Sequence, residues 1–409
     1  MPDMENIPKL RKDIELIPTL FQGQRALLIK DFLGLIQKPV VLEGEALNLL
    51  ALIDGKRSVR EIQIELIRQR GGVYMSQASV EEMLSELDAA YLLENERYRQ
   101  GRTEILKEYS SLRIRKPSHA GSSYPLSQRE LTEFLSSILH GGEGGGSGFN
   151  SDQILALVSP HIDLETGKRV YAKAYQSLRR KAPKTIILMG TGHHIEDARF
   201  SLTEKDFETP LGLVRTDKVL VRRLKESGGK TVGLYDIAHR LEHSLEFQLI
   251  FCQHLFGSEF GLVPILCGSF GNELPRFSRP FEIPGVGDFL SELKEIMEDM
   301  GPGVLVVAGV DFSHIGPKFG HIYPAVSLLL ETKKHDRTLI DACLRKDIQA
   351  FWAESKRVGD DYNVCGFSTL ACLLEILPEV QGFLLDYDIW EEEATQSAVS
   401  YAALAFIPK

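Results

Sequence analysis

The chain has no run of apolar residues long enough to cross a bilayer as a helix, which takes about 20 in a row, and it has no surplus of positive charge. Among its 409 residues, 57 Asp and Glu outnumber 47 Lys and Arg, giving a net charge of -10. An acidic surface of this kind argues against general affinity for nucleic acid or anionic lipid. The stretch from Met1 to Lys12 carries charges of both signs and lacks the apolar segment of a signal peptide, so the expected location is cytoplasmic and no membrane partner is expected. Cysteine is sparse as well. The five present (Cys252, Cys267, Cys343, Cys365, Cys372) are odd in number and show no CxxC spacing, and most sit in apolar runs typical of buried thiols. A disulfide scaffold is thereby disfavoured.

What is present is ordinary globular composition, 43% hydrophobic and 25% charged, in a chain long enough for two domains. Apolar residues recur at helical spacing through 45–53, 59–67 and 80–92, predicting a small, mainly helical first domain. Ser58 followed by Glu61, and Ser79 followed by Glu82, have the spacing of capping boxes at helix starts. Residues 91–99 read as a short strand or wing. The pattern turns polar over 101–111, which places the divide between domains at 1–105 and 106–409. The glycine-rich stretch 141–148 reads as a mobile loop, and it lacks the lysine and the strand-turn-helix setting of a phosphate-binding loop.

From residue 150 onward short apolar runs alternate with amphipathic segments, the mark of an α/β domain with a mostly parallel or mixed central sheet flanked by helices. The runs are 154–158, 185–189, 262–266, 304–310 and 399–407. Helices are expected over 169–178, 218–225, 243–255, 288–300, 325–344 and 368–377.

Three of the runs end alike. The first leads to His161, the second to His193 and His194, and the third to Asp311 and His314. Loops at the carboxyl ends of parallel strands converge on one crevice, so histidines at three such ends can meet. One histidine after a strand is ordinary; three in equivalent places suggest a metal or acid/base site. Of the adjacent pair, one ring should face the site and the other pack elsewhere. The segment Leu241-Glu-His-Ser-Leu-Glu puts His243 and Glu246 on one helix face, and His239 stands four residues before His243. The glutamate of an HExxH metalloprotease is missing. The carboxylates Glu242 and Glu246 are equally well explained as favourable charge at a helix N-terminus. Cys365, in Asn363-Val-Cys-Gly-Phe-Ser, precedes an apolar helix, a position that favours the thiolate.

The first domain resembles a winged-helix or PqqD-like module over about residues 20–100, chiefly through Leu52-Ile-Asp-Gly-Lys-Arg-Ser-Val. Residues 1–114 hold 16 Lys and Arg against 18 Asp and Glu, without a basic stripe, so protein or peptide docking, or packing, is expected ahead of DNA binding.

The chain from about Arg115 onward resembles the Memo family, known in prokaryotes as AmmeMemoRadiSam system protein B. The resemblance rests on Ser118-His-Ala-Gly-Ser-Ser-Tyr, Pro160-His, Gly190-Thr-Gly-His-His, Glu242-His-Ser-Leu-Glu, Asp311-Phe-Ser-His, Asn363-Val-Cys-Gly and Ser397-Ala-Val-Ser-Tyr-Ala-Ala. Two departures touch the pocket wall: Pro160-His-Ile-Asp replaces the family's Pro-His-Ala-Gly, and Gly190-Thr-Gly replaces Gly-Pro-Ser. Memo domains look like LigB-type extradiol dioxygenases, whose non-haem Fe(II) is held by two histidines and a carboxylate. The resemblance implies His161, His193 and Cys365 as metal ligands, with His314, Asp311 and His243 as catalytic groups. Cysteine in place of carboxylate shifts the preference toward copper, zinc or redox iron, so iron or copper is expected, with zinc as a further candidate. Family context implies work beside an AMMECR-type protein and a radical SAM protein on a small-molecule or peptide substrate.

Three functional readings follow. The first is a metal-dependent, oxygen-using or otherwise redox enzyme. The second is a module that binds a metal or peptide in a dioxygenase-like crevice without catalysis. The third is a metal-assisted hydrolase in which Asp311 or His314 moves the proton.

Overall fold

The computed structural model describes residues 7–36, 38–141, 153–178, 181–195 and 198–409, without the side chains of Pro18 and Leu20. The glycine-rich stretch expected to form a loop lies outside these residues from position 142 to its end. Two compact units make up the chain, Met1–Ser111 and Leu112–Lys409.

The first unit begins with strands rather than helices. β1 (Ile14–Phe21), β2 (Gln24–Asp31) and β3 (Val40–Glu43) form an antiparallel sheet. Gln22 and Gly23, both at positive φ, make the two-residue turn between β1 and β2, the backbone shape that matches strand twist in a hairpin. Four helices follow: α1 (Glu45–Leu50), α2 (Val59–Gln69), α3 (Gln77–Ala89) and α4 (Glu96–Ser111). The expected capping box at Ser58 and Glu61 is present. α3, however, is capped by Ser76, whose hydroxyl accepts from the Ser79 amide, so the helix starts a turn earlier than the apolar spacing alone suggests. The wing expected over 91–99 gives way to α4, which buries Tyr98, Leu106 and Tyr109. Its polar residues occupy an exposed helix face and do not break the helix. Leu49, Ile62, Leu66, Val80, Leu87 and Leu92 centre this unit's core.

The second unit contains, in order, β4 (Ile114–Arg115), α5 (Gln128–His140), β5 (Ala156–Ser159), α6 (Lys168–Gln176), β6 (Thr185–Thr191), β7 (Phe200–Leu202), β8 (Asp206–Thr209), β9 (Gly212–Val214) and α7 (Lys218–Gly228). It continues with α8 (His243–Phe256), β10 (Gly261–Cys267), α9 (Val286–Met300), β11 (Val304–Gly309), β12 (His314–Ile315), α10 (Leu329–Leu344), α11 (Ile348–Val358), α12 (Phe367–Ile376), β13 (Val380–Glu392) and β14 (Ser397–Pro408). Eight strands form a mixed sheet in the order β12-β14-β5-β11-β6-β10-β7, with β13 on β14. The four central strands β5, β11, β6 and β10 are parallel, and those outside them pair antiparallel. Strands β4, β8 and β9 form a separate small sheet.

Side-chain alternation explains the layering, because successive residues of a strand face opposite sides. Ile187 and Met189 of β6, with Val304, Val306 and Ala308 of β11, join a core with α7, α9, α10, α11 and α12. Their neighbours Ile186, Leu188, Leu305 and Val307 join another with α5, α6 and α8. Buried on both faces, these strands read in sequence as continuous apolar runs. No helix among the described residues is long and apolar enough to cross a membrane.

Register sets up the site. Gly309 at the end of β11 is level with Ser159 at the end of β5 and with Gly190 of β6. Two residues beyond Ser159, Thr191 and Gly309 stand His161, His193 and Asp311.

Candidate metal centre

Beyond this level edge, His161 and His193 approach with ring centroids 5.1 Å apart. His243, from the first turn of α8, completes the group at 5.0 Å from His161 and 5.1 Å from His193. One ligand atom from each of the three lies within 4.8 Å of the others. His161 is buried, while the side chains of His193 and His243 each keep 31% exposure, so the group is reached from solvent on one side.

Two of the rings are hydrogen-bonded through Nδ1, and the Nδ1 of the third faces a carboxylate. The Nδ1 of His161 faces the Gly309 carbonyl at 3.0 Å. In His193 it lies 3.0 and 3.1 Å from the two Glu242 oxygens, and in His243 it lies 3.3 Å from Glu242 Oε1. With the Nδ1 atoms so engaged, the Nε2 atoms remain to face a common ion, the arrangement in which outer carboxylates and carbonyls fix the tautomer of ligating histidines.

Glu242 is the residue that sequence reasoning weighed as helix-end charge. It fills that role, its side chain accepting from the Ser244 amide at 2.9 Å as the N-cap of α8. The same carboxylate also accepts from the His193 amide at 3.2 Å and orients two rings of the site. Burial opposes its charge, but His193 and the capping amide hold its pKa well below the usual value. Burial likewise pulls His193 down, and Glu242 together with the Cys365 thiol outweighs it and keeps that ring well above an ordinary histidine. His161 is lowered to about 3 by burial and by His193, and His243 falls well below its usual value through burial. Neutral imidazole is the form that binds metal, the form favoured at His161 and His243; a metal at His193 would have to displace its proton.

Cys365 stands beside this group. Its Sγ is 3.3 Å from His161 Nε2 and 3.6 Å from the Asp311 carbonyl oxygen. Burial raises its pKa, with the bond to His193 acting in the other direction. It is half-buried, whereas the other four cysteines are buried. Asp311 faces His161, accepting from its amide at 2.9 Å with one oxygen and lying 3.6 Å from Nε2 with the other. Burial raises Asp311 to about 6. His314 stands apart from the three-histidine group. Its Nδ1 lies 3.0 Å from the Phe312 carbonyl, and its ring meets Phe319 edge-on at 4.9 Å. Asp311 therefore braces the His161 turn, whereas backbone holds the His314 ring.

His239 does not join His243. It belongs to a separate short helical turn, with Nε2 3.0 Å from the Ser201 carbonyl, so the four-residue spacing within one helix does not apply. His194 is outside the three-histidine group, its ring 6.3 Å from that of His193.

Two motifs turn out to support the site from behind. Glu246 receives hydrogen bonds from Arg115, the amide and hydroxyl of Ser118 (both 3.0 Å), the His119 amide (2.9 Å) and Tyr124. Arg115 also donates to the His239 and Glu242 carbonyls at 3.0 and 2.8 Å. Thus Ser118-His-Ala-Gly-Ser-Ser-Tyr serves to seat α8. On the other side Ser313 donates to Asp336 at 2.6 Å and its amide to Ser400 at 2.8 Å, tying the His314 segment to α10 and β14.

Residues 115–405 match the family model described as Memo-like protein. A MEMO1 family protein of Aquifex aeolicus is 30% identical over 391 residues, covering 93% of this chain and 95% of that protein. A MEMO1 family protein of Nitrosopumilus maritimus is 27% identical, with coverage of 72% and 100%. One of Thermus thermophilus is 27% identical, with coverage of 85% and 98%. The Aquifex match is long enough to take in residues of the first unit.

Proposed function

The chain belongs to the Memo family, and from that premise we propose that it carries a mononuclear metal site performing redox, oxygen-dependent chemistry on a small-molecule or peptide substrate. The observation that supports this most is the convergence of three imidazoles, two of them hydrogen-bonded through Nδ1, with a thiol 3.3 Å from one of them. Two ligands on one transition ion, at metal bonds of about 2.0 to 2.3 Å, stand roughly 3 to 3.7 Å apart, so the spacing of Cys365 and His161 fits shared ligation.

The donor chemistry fits iron or copper, since imidazole and thiolate together suit these ions and not calcium or magnesium. His161 and His193 would hold the ion with Cys365 as the anionic ligand, and His243 lies within reach as a further donor. A bound iron or copper would supply electron transfer and activation of oxygen. The protein's own tasks are then to orient the rings through Glu242 and Gly309, to bury the inner side of the site, and to move a proton. His314 suits the last task because it lies near the group without belonging to it. Burial lowers its pKa, keeping the ring neutral and able to accept a proton. The family context further motivates the proposal that an AMMECR-type protein and a radical SAM protein act with it.

Metal analysis and metal-edge absorption on anaerobically purified protein test the reading. Iron or copper near one ion per chain is expected, lost in His161→Ala and His193→Ala. Sulfur ligation should vanish in Cys365→Ala, and His314→Ala should retain the metal. A chain that takes up neither ion when supplied with both would overturn it, as would zinc bound without redox activity.

A further inference from the structure

The segments bearing His314 and Cys365 come from distant parts of the chain, yet five hydrogen bonds lock them together or shape their contact. The His314 amide donates to the Tyr362 carbonyl at 2.7 Å. Asn363 Nδ2 donates to two carbonyls of the other segment, those of His314 and Phe319, each at 3.2 Å. His321 Nε2 lies 2.8 Å from the Asp361 carbonyl, and its Nδ1 accepts from the Gly316 amide at 3.2 Å. Asn363 occupies the left-handed region, φ 48°, which asparagine tolerates better than most residues. Its carbonyl is two residues from Cys365 and its side chain reaches the backbone of His314.

We propose that Asn363 is a positioning residue that holds His314 and Cys365 at a fixed separation, so that the proton-carrying ring and the thiol move as one piece. The role assigned to the pair rests on the proposed metal function; the coupling itself does not. Only an amide side chain gives both requirements here, a tolerated left-handed backbone and one NH2 group with two hydrogens for two carbonyls. Aspartate would keep the shape and the backbone preference while turning an acceptor toward those oxygens. Glycine would keep the backbone and remove the clasp.

The test uses the full-length, metal-free protein, in which Cys365 is the one cysteine of the five that is not fully buried. Two rates are read in wild type, Asn363→Asp and Asn363→Gly: hydrogen exchange of the His314 amide, and reaction of the Cys365 thiol with a maleimide. Loss of two hydrogen bonds of ordinary net strength should speed both by about tenfold in each variant, with core amides such as Ile187 and Val306 as the internal reference. Rates within twofold of wild type would overturn the proposal. So would a change in Asn363→Gly alone, which would place the effect in backbone freedom, or a faster thiol with an unchanged His314 amide, which would show the two segments to be independent. None of these readouts depends on metal, so failure of the metal reading would be seen separately, as absence of metal from the wild type.

Discussion

A single carboxylate with five donors is an unusual concentration of polar bonding for one side chain. Glu246 collects Arg115, two groups of Ser118, the His119 amide and Tyr124, and both Arg115 and Glu246 are almost wholly buried, at 1% and 0% side-chain exposure. Burial acts to raise the Glu246 pKa, and Arg115, Tyr124 and Ser118 outweigh it, leaving it below the ordinary 4.5. A carboxylate with a depressed folded pKa stabilises fully above its unfolded value and loses that contribution as pH falls through the folded one. Glu246→Gln leaves Arg115 buried without its counter-charge, so the variant should lose about 3–5 kcal/mol near neutrality. The gap to wild type should narrow as pH drops below about 4.5. Urea unfolding midpoints at both pH values check this; a gap independent of pH would show that charge is not the cause.

The elements depend on close approach as much as on charge. α8 starts at the level of the strand ends, and its first turn lies against β11. A Cβ on Gly309 would collide with the Ser244 carbonyl and the Gln248 side chain, groups that cannot both yield because one is helix backbone. Gly309→Ala should therefore cost about 1–3 kcal/mol and weaken metal binding, since the displaced turn carries Glu242 and His243. Isothermal metal titration beside thermal unfolding would show both effects, and a variant that binds metal as wild type does would mean that α8 can shift without disturbing the rings. Elements of this kind were legible in sequence where apolar period and length agreed. β6, β10, β11 and β14 lie where the apolar runs predict, and α7, α8, α9 and α12 match their segments within a few residues. β1 to β3 were missed because mixed polar residues and Pro18 blur their alternation. α4 was missed because a polar face was taken for a break. In the site, two of the three strand-end histidines, His161 and His193, come together as their shared pattern suggests, while His314 stands apart and the third ring of the group is His243 from α8. The bracing role of Glu242 was not legible, because a helix cap and a histidine partner leave the same mark in a single sequence.

At the scale of the whole molecule, the divide lies at the end of α4, between Ser111 and Leu112, and each side has its own core. We propose that the units are separable. A chain beginning at Leu112 should fold and take up metal as the full chain does, read by circular dichroism and metal analysis, because Arg115 and the residues that meet Glu246 are all retained. An aggregated or molten product, with the full chain well folded, would mean that the first unit completes the second unit's core.

The connectivity of the sheet also bears on when the site can exist. β5, which leads to His161, lies between β11 and β14, and β14 is the last strand in the chain. Cys365 and His161 are 204 positions apart, and contacts of such long range form only after a large loop has closed. During synthesis, the strand leading to His161 is therefore made long before either of its flanking neighbours, and the Cys365 thiol emerges between the two, after β11 and before β14. At a synthesis rate of about 5–20 residues per second, His161 waits many seconds for Cys365. Metal loading would accordingly follow completion of the sheet, and a half-made chain would offer passing ions only scattered histidines.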